Sequence, residues 1–295
     1  MPQQQQQQQP QQRQQQQQQQ TVPSIAALLN QQLHRGELQS QSKLQPSEKK
    51  TVKRSELLKN VAKFFGEFAA TAVLVYLGCM GCVNSSSIIN SPLQCSLTFG
   101  FVVLICIQCF GCISGAHLNP AVTLASFIYE LISWQMAILY FVAQILGGSI
   151  GYGLLVASMP KNMICNSLTP MGACVTSVAS NITLWQAVII EFLLTSILIC
   201  VCCGVWDLRN ADVQDSVPIR FGLTVSCIGI VAGQLTGASM NPVRSFAPAL
   251  WNNSWEDHWI YWVAPLTSSL VTSIAYKYGF RSKPENPKIL GITQP

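Results

Sequence analysis

Charged residues are scarce in this chain of 295 residues, because Asp, Glu, Lys and Arg together make up only 10% of it. An ordinary soluble domain carries about 25%. Hydrophobic residues account for 49%, and most ionisable side chains lie in the first 63 positions or in the last twenty, so the net charge of +5 belongs to the ends. This pattern predicts a membrane protein and gives no reason to expect a nucleic-acid partner.

Histidine is also rare, and the side-chain sets of common enzymes are missing. The chain has three histidines, His34, His117 and His258. Its apolar part shows no paired carboxylates, no Ser-His-Asp set and no glycine-rich loop that would cradle a phosphate. We therefore expect no enzymatic activity, no cofactor and no metal site.

The twelve cysteines do not suggest a metal site either. Cys106, Cys109 and Cys112 recur every three residues, which predicts a helical face packed in the core, and no histidine or acidic partner stands nearby to complete a zinc site. Cys165 and Cys174 share a polar loop and would pair only if that loop faces an oxidising compartment. Nine cysteines lie in apolar runs, where a thiol packs as a small hydrophobe: Cys79, Cys82, Cys106, Cys109, Cys112, Cys200, Cys202, Cys203 and Cys227.

The amino-terminal segment lacks apolar periodicity. Residues 1–55 are dominated by glutamine and cannot bury enough surface to offset the entropy of folding, so we expect a disordered tail. They do not resemble a secretory signal, because a short apolar core before a small-residue cleavage site is missing. Either the tail has no specific role or it binds a partner. A second short tail is expected at residues 281–295, which leaves residues 56–280 for the folded part.

Long apolar runs are what the rest of the chain offers. A helix needs about 20 apolar residues to cross a hydrocarbon core about 30 Å thick. Two runs, Pro120–Tyr129 and Pro242–Trp251, are too short for this and predict half-helices. Six runs are long enough: Val61–Val83, Gln94–Ile113, Trp134–Ser158, Leu184–Val205, Pro218–Gln234 and Trp259–Tyr278. The predicted fold is an all-α membrane protein with six transmembrane helices and two re-entrant half-helices.

The same motif precedes each half-helix. Residues 115–120 read GAHLNP and residues 237–242 read GASMNP. Proline suits the first turn of a helix, and asparagine before it is a strong cap. We expect Asn119 and Asn241 to fix their own loops through the side-chain carbonyl and to aim the NH₂ group at a passing polar molecule. Two copies in apolar surroundings argue against plain surface turns and indicate two equivalent halves around one pathway.

Lysine and arginine near the helix ends set the predicted orientation. They cluster before the first span, before the fifth span and after the sixth, so both termini are expected in the cytoplasm. Loops 84–93, 159–183 and 252–258 are then outside, where the glycosylation triplets at Asn84, Asn181 and Asn252 fall. Three spans per half is an odd number, so the repeats, about 61–158 and 184–280, are inverted. Their half-helices would meet near the midplane, where irregular backbone is tolerated only inside protein or along a water-filled route.

Both motifs resemble those of the aquaporin, or major intrinsic protein, family, and the resemblance covers about Val61–Phe280. It implies a right-handed six-helix bundle, one pore per subunit, and a homotetramer in the plasma membrane. Val243 stands where the family usually has alanine and is expected to alter packing while leaving the donor Asn241 in place. The pore motifs are then Asn119, Pro120, Ala121 and Asn241, Pro242, Val243.

The resemblance also gives Glu67 and Glu191 repeat-related positions that hold the half-helix loops. A charge at membrane depth is costly, so each carboxylate should face the bundle interior with a partner. We expect a structural role, because pore loops need acceptors for their freed amides, and not proton transport.

By the same resemblance, the outer constriction has four positions: Phe99, Gly229, Ala238 and Arg244. Water-selective relatives carry a histidine on the fifth span, and this chain has none there. Glycine in its place enlarges the opening, so glycerol and urea are expected to pass with water. Arg244 would donate to hydroxyls while Phe99 faces the carbon backbone; alternatively, Arg244 only pins its loop.

Other residues give signals for both a glycerol channel and a water channel. Glycerol facilitators resemble each other in having an aspartate after the arginine, whereas this chain has Ser245, and Tyr261-Trp262 looks like the water-channel branch. A water-channel framework without its filter histidine resembles the insect glycerol-transporting branch, the entomoglyceroporins. Protons and ions should be excluded by the positive ends of the half-helices. The rival hypotheses are a strictly water-conducting pore and an ion-conducting or adhesion protein.

Overall fold

The computed structural model describes residues 46–84 and 90–281, so most of the two predicted tails (1–55 and 281–295), namely residues 1–45 and 282–295, lies outside the described residues. Within this part of the chain, the predicted all-helical fold with six long helices and two half-helices is confirmed. In chain order, the helices are α1 (Pro46–Met80), α2 (Pro92–Ser114), the half-helix α3 (Pro120–Ile128), α4 (Trp134–Ser158), the short α5 (Lys161–Ile164), α6 (Leu184–Trp206), α7 (Val217–Thr236), the half-helix α8 (Pro242–Asn252) and α9 (Ile260–Gly279), with a 3₁₀ helix at Leu208–Val213 between α6 and α7.

By length and composition, five of these helices are able to cross a membrane: α1 from Arg54 onward, α2, α4, α6 and α7. The sixth, α9, has 20 residues but is less apolar. Its hydroxyl side chains face the protein interior, since Ser268, Ser269 and Ser273 are fully buried. The lower apolar content of α9 therefore comes from the face that packs inside the bundle.

Helix α1 begins earlier than the sequence predicted. The apolar run begins at Val61, but the helix extends back to Pro46, so the expectation of a disordered segment is wrong for residues 46–55. Lysine, glutamate and arginine are good helix formers, and a helix need not be apolar to continue beyond its membrane-spanning part. Contacts within the chain define one compact unit at Leu57–Ser282.

Small residues let the long helices approach closely. A side chain at Gly147 of α4 would collide with the backbone carbonyl of Phe68 in α1, and one at Gly100 of α2 would collide with Ser226 and the backbone of Gly222 in α7. Close backbone approach through small residues is the usual way in which membrane helices gain packing energy, because lipid is as apolar as their side chains. The half-helix α3 packs against α9, and α8 packs against α4.

Two predictions about cysteines are wrong. Cys82 lies just past the carboxyl end of α1 and not within its apolar length, and it forms a disulfide with Cys95 at a Cα–Cα distance of 4.8 Å. Cys109 and Cys112 are exposed, whereas Cys106 is buried. A three-residue spacing drifts by about 60° per step around a helix of 3.6 residues per turn, so the three thiols do not share one buried face.

Candidate functional site

The two half-helices meet through their asparagine caps. Asn119 Oδ1 accepts a hydrogen bond from the N–H of Ala121 at 2.8 Å, and Asn241 Oδ1 accepts one from the N–H of Val243 at 3.0 Å. The side-chain nitrogens cross to the opposite loop, because Asn119 Nδ2 donates to the carbonyl of Met240 and Asn241 Nδ2 donates to that of Leu118, both at 2.8 Å. Each side-chain amide thus donates one N–H to the other half and has a second N–H that can donate to a solute.

Glu67 holds the first loop from the interior of the bundle. It is fully buried in α1, and its Oε1 accepts hydrogen bonds from Ser114 Oγ and the N–H of His117, both at 2.8 Å. Its Oε2 accepts from the N–H of Leu118 at 3.0 Å and from Gln144 Nε2 at 2.9 Å. Four donors therefore surround this carboxylate, as a buried charge requires.

Glu191 occupies the corresponding place in the second half. It is fully buried in α6. Its Oε1 accepts from Thr236 Oγ1 at 2.6 Å and from the N–H of Ser239 at 2.9 Å, and its Oε2 accepts from the N–H of Met240 at 2.9 Å. These contacts join Glu191 to the end of α7 and to the loop that follows it.

The anchored loops have strained backbones. Ala116 and Leu118 in the first loop, and Ala238 and Met240 in the second, have positive φ angles between 44° and 60°. A non-glycine residue in this region costs roughly 1–2 kcal/mol. The strain turns successive amides and carbonyls toward the glutamates, the asparagines and the interior, so the carboxylates stabilise a conformation that the loops would not adopt alone.

A cavity of about 390 Å³ runs along the bundle past both asparagines. Residues near the ends of the long helices line it, from Asn84 and Ser91 on one side to Trp206 and Val217 on the other. Asn119 and Asn241 contribute to its wall, whereas Pro120, Ala121, Pro242 and Val243 are buried in the bundle. The motif residues thus divide into two groups, asparagines at the cavity and the rest in the core.

All four predicted constriction residues, Phe99, Gly229, Ala238 and Arg244, line this cavity. The Arg244 guanidinium carbon lies 4.6 Å from the centre of the Phe99 ring, and Arg244 Nη1 donates to the backbone carbonyl of Cys174 at 2.8 Å. Arg244 is 9% exposed. The arginine is therefore fixed between an aromatic ring and the loop before α6, at the wall of the cavity.

Gly229 faces α2 as well as the cavity. A methyl group added there would lie 3.0 Å from Cβ of Ser96 and 3.1 Å from its Oγ, which is tighter than ordinary contact. Ser96, Gly233 and Gly237 line the same cavity. This stretch of wall is therefore built of small side chains, and a larger one at Gly229 requires Ser96 to move.

Gly148 accounts for the valine at position 243, where the usual motif has alanine. Val243 is fully buried, and a methyl group at Gly148 of α4 would lie 2.5 Å from its Cγ1. The extra methyl groups of valine therefore occupy the space left by a glycine on the neighbouring helix. Beside this buried valine, the Asn241 side chain makes hydrogen bonds to the carbonyl of Leu118 and to the N–H of Val243.

The loop before α6 takes part in the site, which sequence reasoning missed. Besides the carbonyl of Cys174, it supplies Thr176, whose Oγ1 donates to Ser245 Oγ at 2.8 Å. Tyr152 of α4 fixes this loop by donating to the carbonyl of Ala173 at 2.6 Å. The sequence offers a weak signal for this, namely a small apolar stretch in an otherwise polar loop.

An ion pair lies just past the carboxyl end of α6. Asp207 Oδ2 lies 2.7 Å from Arg209 Nη2, which also donates to the carbonyl of Phe280 at 2.8 Å. The side-chain hydrogen bond from Arg209 lowers the pKa of Asp207 below its ordinary value, although burial opposes the shift. This pair ties the end of α6 to the end of α9.

Six long helices and two half-helices that meet at paired asparagines, with a cavity running past them, define a membrane channel fold. Residues 54–276 match the family model "Major intrinsic protein", and the chain belongs to this family. It is 36% identical to mouse aquaporin-4 over 219 residues, which are 72% of this chain and 66% of the mouse protein, just under two thirds of that relative's length.

Other relatives agree with this assignment. Pig aquaporin-5 is 36% identical over 215 residues, which cover 72% of this chain and 79% of the pig protein. Among solved structures, the aquaglyceroporin from Plasmodium falciparum superposes with a TM-score of 0.65 at 28% identity, covering 75% of this chain and 96% of that one. Proteins of this family are channels and not enzymes, in line with the absence of catalytic sets in the sequence.

Proposed function

We propose that this protein is a passive channel that conducts water, glycerol and urea and excludes protons and ions. The observation that carries the proposal is the composition of the cavity wall around Arg244. A fixed guanidinium and an aromatic ring stand together with Gly229, Ala238 and Ser96, and no histidine is found in the fifth long helix. Pore width and lining donors set selectivity in such channels.

The three solutes fit the chemistry of this wall. Glycerol has hydroxyls for the Arg244 guanidinium and a carbon chain for the Phe99 side chain, both of which line the cavity, and the two asparagine amides offer further donors along the route. The small residues leave room for a molecule wider than water. Similarity to an aquaglyceroporin structure supports the same proposal.

Exclusion of cations follows from the half-helices. The amino ends of α3 and α8 lie at Asn119 and Asn241, whose side chains bind across to the opposite loop. Each end carries roughly half a positive charge, and Arg244 adds a full one nearby. A cation or proton therefore meets a repulsive potential where a neutral solute meets hydrogen-bond donors.

A water-selective channel is the second candidate. Ser245 follows the arginine where glycerol facilitators have aspartate, and the curated relatives named above are aquaporins 4 and 5. The tight contact between Gly229 and Ser96 also brings α7 and α2 close together at the cavity. On this alternative, the residues of the wall are small because α2 and α7 lie close together, and the opening is no wider than that of a water-selective channel.

Shrinking and swelling of vesicles distinguishes the two candidates. Protein reconstituted into liposomes is exposed to gradients of a non-permeant sugar, glycerol or urea, and light scattering gives the three permeabilities. We expect all three to exceed those of empty liposomes. Fast water flux with glycerol and urea at the rate of bare lipid would favour the water-selective channel, and a voltage-dependent current would favour an ion channel.

The remaining assignments rest on the sequence and the family. We propose cytoplasmic termini, a plasma-membrane location, a homotetramer, and residues 56–280 as the channel domain, with a partner-binding or neutral glutamine-rich tail. Of the glycosylation triplets, Asn181 is exposed. Asn252 is engaged, because its Nδ2 donates to Tyr152 Oη and to the carbonyl of Pro248, both at 2.8 Å. Glycan occupancy, measured by mass spectrometry, is thus expected at Asn181 and not at Asn252.

A further inference from the structure

We propose that Tyr152 and Asn252 are positioning residues for the Arg244 guanidinium, and that they thereby limit the size of the solutes that the channel admits. Neither is among the described residues that line the cavity. Both act through the loop before α6, residues 165–183, which supplies the carbonyl that accepts from Arg244 Nη1 at 2.8 Å. The inference rests on the proposed channel function and on Arg244 as part of its constriction.

A chain of hydrogen bonds begins and ends on the half-helix α8. Asn252, the last residue of α8, donates through Nδ2 to Tyr152 Oη at 2.8 Å. Tyr152 Oη donates in turn to the carbonyl of Ala173 at 2.6 Å. The next carbonyl along the loop, that of Cys174, accepts from Arg244 in the first turn of α8. The end of the half-helix therefore helps to hold the acceptor for the arginine at its beginning.

The direction of these hydrogen bonds matters, because a tyrosine hydroxyl has a single proton to donate. Asn252 donates an N–H to the Tyr152 oxygen, so the hydroxyl proton stays available for the carbonyl of Ala173. Tyr152 and Ala173 are both fully buried, where a hydrogen bond is stronger than in water. The hydroxyl of Tyr152 is thus a firm attachment point for the loop.

The loop also fits tightly against the end of α8. Gly172 has a φ of 102°, and a side chain there would collide with the side chain of Asn252. On the other side of Ala173, Cys174 has a φ of 65°, which is uncommon for a residue with a side chain. Such a backbone persists only where its surroundings impose it. Tyr152 and Asn252 provide these surroundings at the point where the loop meets Arg244.

Selectivity depends on this attachment because the remaining contact of Arg244 is less directional. The guanidinium carbon lies 4.6 Å from the centre of the Phe99 ring, and attraction to a ring face fixes a cation less precisely than a carbonyl acceptor does. Once the Cys174 carbonyl is free to move, the guanidinium takes a range of positions and the width of the opening varies. Small solutes pass at any of these widths, whereas larger ones pass only when it is wide.

The test compares the full chain with Tyr152→Phe in liposomes. This substitution keeps the ring and removes the hydroxyl. Light scattering gives permeabilities to water, urea, glycerol and the four-carbon polyol erythritol, and the readout is the permeability to the smallest solute that the unchanged protein excludes, divided by that to water. We expect this ratio to rise several-fold. Loss of folded channels lowers all permeabilities together and leaves the ratio unchanged, so a merely structural role would not move it.

Asn252→Asp is the second variant, because a carboxylate accepts the Tyr152 hydroxyl proton and withdraws it from the loop. It should raise the ratio as Tyr152→Phe does, and the double variant should raise it no further, since both act through one chain of hydrogen bonds. Trp251→Phe is the matched control. Trp251 Nε1 joins α8 to α4 by donating to the carbonyl of Ser149 at 2.8 Å, so its loss loosens the same helix pair without releasing the loop.

A chemical readout does not require conduction. Methylglyoxal reacts with guanidinium groups, and mass spectrometry follows its adduct at Arg244 relative to that at Arg209, whose side chain is 57% exposed. The Arg244 adduct should form several-fold faster in Tyr152→Phe and Asn252→Asp, and at the unchanged rate in Trp251→Phe.

An unchanged rate at Arg244 in both variants, or an equal rise in Trp251→Phe, would overturn the positioning role. An unchanged permeability ratio would overturn the role in selectivity while leaving the channel proposal intact. If the unchanged protein conducts no water, the channel proposal fails and the role in selectivity fails with it, whereas the adduct at Arg244 still decides whether Tyr152 and Asn252 position the guanidinium.

Discussion

In each half of the molecule, a buried glutamate accepts hydrogen bonds from a hydroxyl at the end of a long helix and from two backbone N–H groups of the next loop. A tyrosine supports each arrangement, since Tyr140 donates to the carbonyl of Ser114 and Tyr261 donates to that of Thr236. The halves differ in what stands further along the helices that carry these tyrosines.

Four positions after the tyrosine, the first half has Gln144 and the second has Pro265. Gln144 gives Glu67 its fourth donor, whereas Pro265 has no side-chain donor to give Glu191. The second half is instead fastened to the loop before α6, through Cys174 and Thr176. The half that carries the arginine is thus tied to the loop before α6, and the other half is tied to its own helices.

Eight positions after the tyrosine, the sizes of two facing residues are exchanged. Ser269 of α9 donates to the carbonyl of Ala121 at 2.6 Å, while Gly148 of α4 faces Val243. Ala121 of the first half thus meets a serine from the second half, whereas the larger Val243 of the second half meets a glycine from the first. The larger valine is therefore accommodated by a smaller neighbour, as close packing demands.

The largest effect is expected from the glutamates. Glu67→Gln and Glu191→Gln each replace one acceptor oxygen with an NH₂ group that faces backbone donors, so buried N–H groups lose their partners. We expect a loss of roughly 3 kcal/mol in the free energy of unfolding, since a hydrogen bond to a charged group is worth about 1.5–3 kcal/mol and a buried orphan donor adds a penalty. Thermal unfolding in detergent measures the loss of stability, and water flux measures its effect on conduction.

Glu130→Gln is the matched control, because Glu130 pairs with Lys277 but its side chain is 62% exposed. That substitution should cost less than about 1 kcal/mol, as exposed pairs do. If the two buried variants were no less stable than the control, the carboxylates would not be loop anchors.

A smaller effect should come from the contact between Gly148 and Val243. Gly148→Ala places a methyl group 2.5 Å from Val243 and should destabilise the protein by about 1–3 kcal/mol through overpacking. Val243→Ala should remove that clash, so the double variant is expected to be more stable than Gly148→Ala alone. A double-mutant cycle on unfolding temperature checks the coupling; purely additive losses would mean that the two sites do not compensate for each other.

The smallest effect concerns the ion pair at the end of α6. Because the pKa of Asp207 is lowered, the folded state favours its ionised form, so its contribution is complete above the ordinary pKa of aspartate and is lost only as the pH falls through the lower folded value. Asp207→Asn should therefore cost about 1 kcal/mol, with no change between about pH 5 and 8. Unfolding in detergent across that range tests this, and Asp212→Asn, at an exposed position nearby, should be close to neutral.

Much of this architecture could be predicted from the sequence, because apolar length and the repeated Asn-Pro motif are local signals. The bounds of α4 agree at both ends, and those of α2, α6, α7 and α9 agree within two residues. The disulfide at Cys82, the carbonyl of Cys174 beside Arg244 and the contact between Gly148 and Val243 were not predicted. Each depends on which distant segments meet, and such contacts leave no periodic pattern in one sequence.

Substitutions in the small wall around Arg244 test whether that wall admits glycerol. Gly229→His, combined with Ser96→Gly to make room, is compared with Ser96→Gly alone in liposomes, and the ratio of glycerol to water permeability is measured. We expect the histidine to lower glycerol permeability toward that of bare lipid while water flux persists. An unchanged ratio, with both variants conducting water, would mean that the wall at Gly229 does not determine the passage of glycerol.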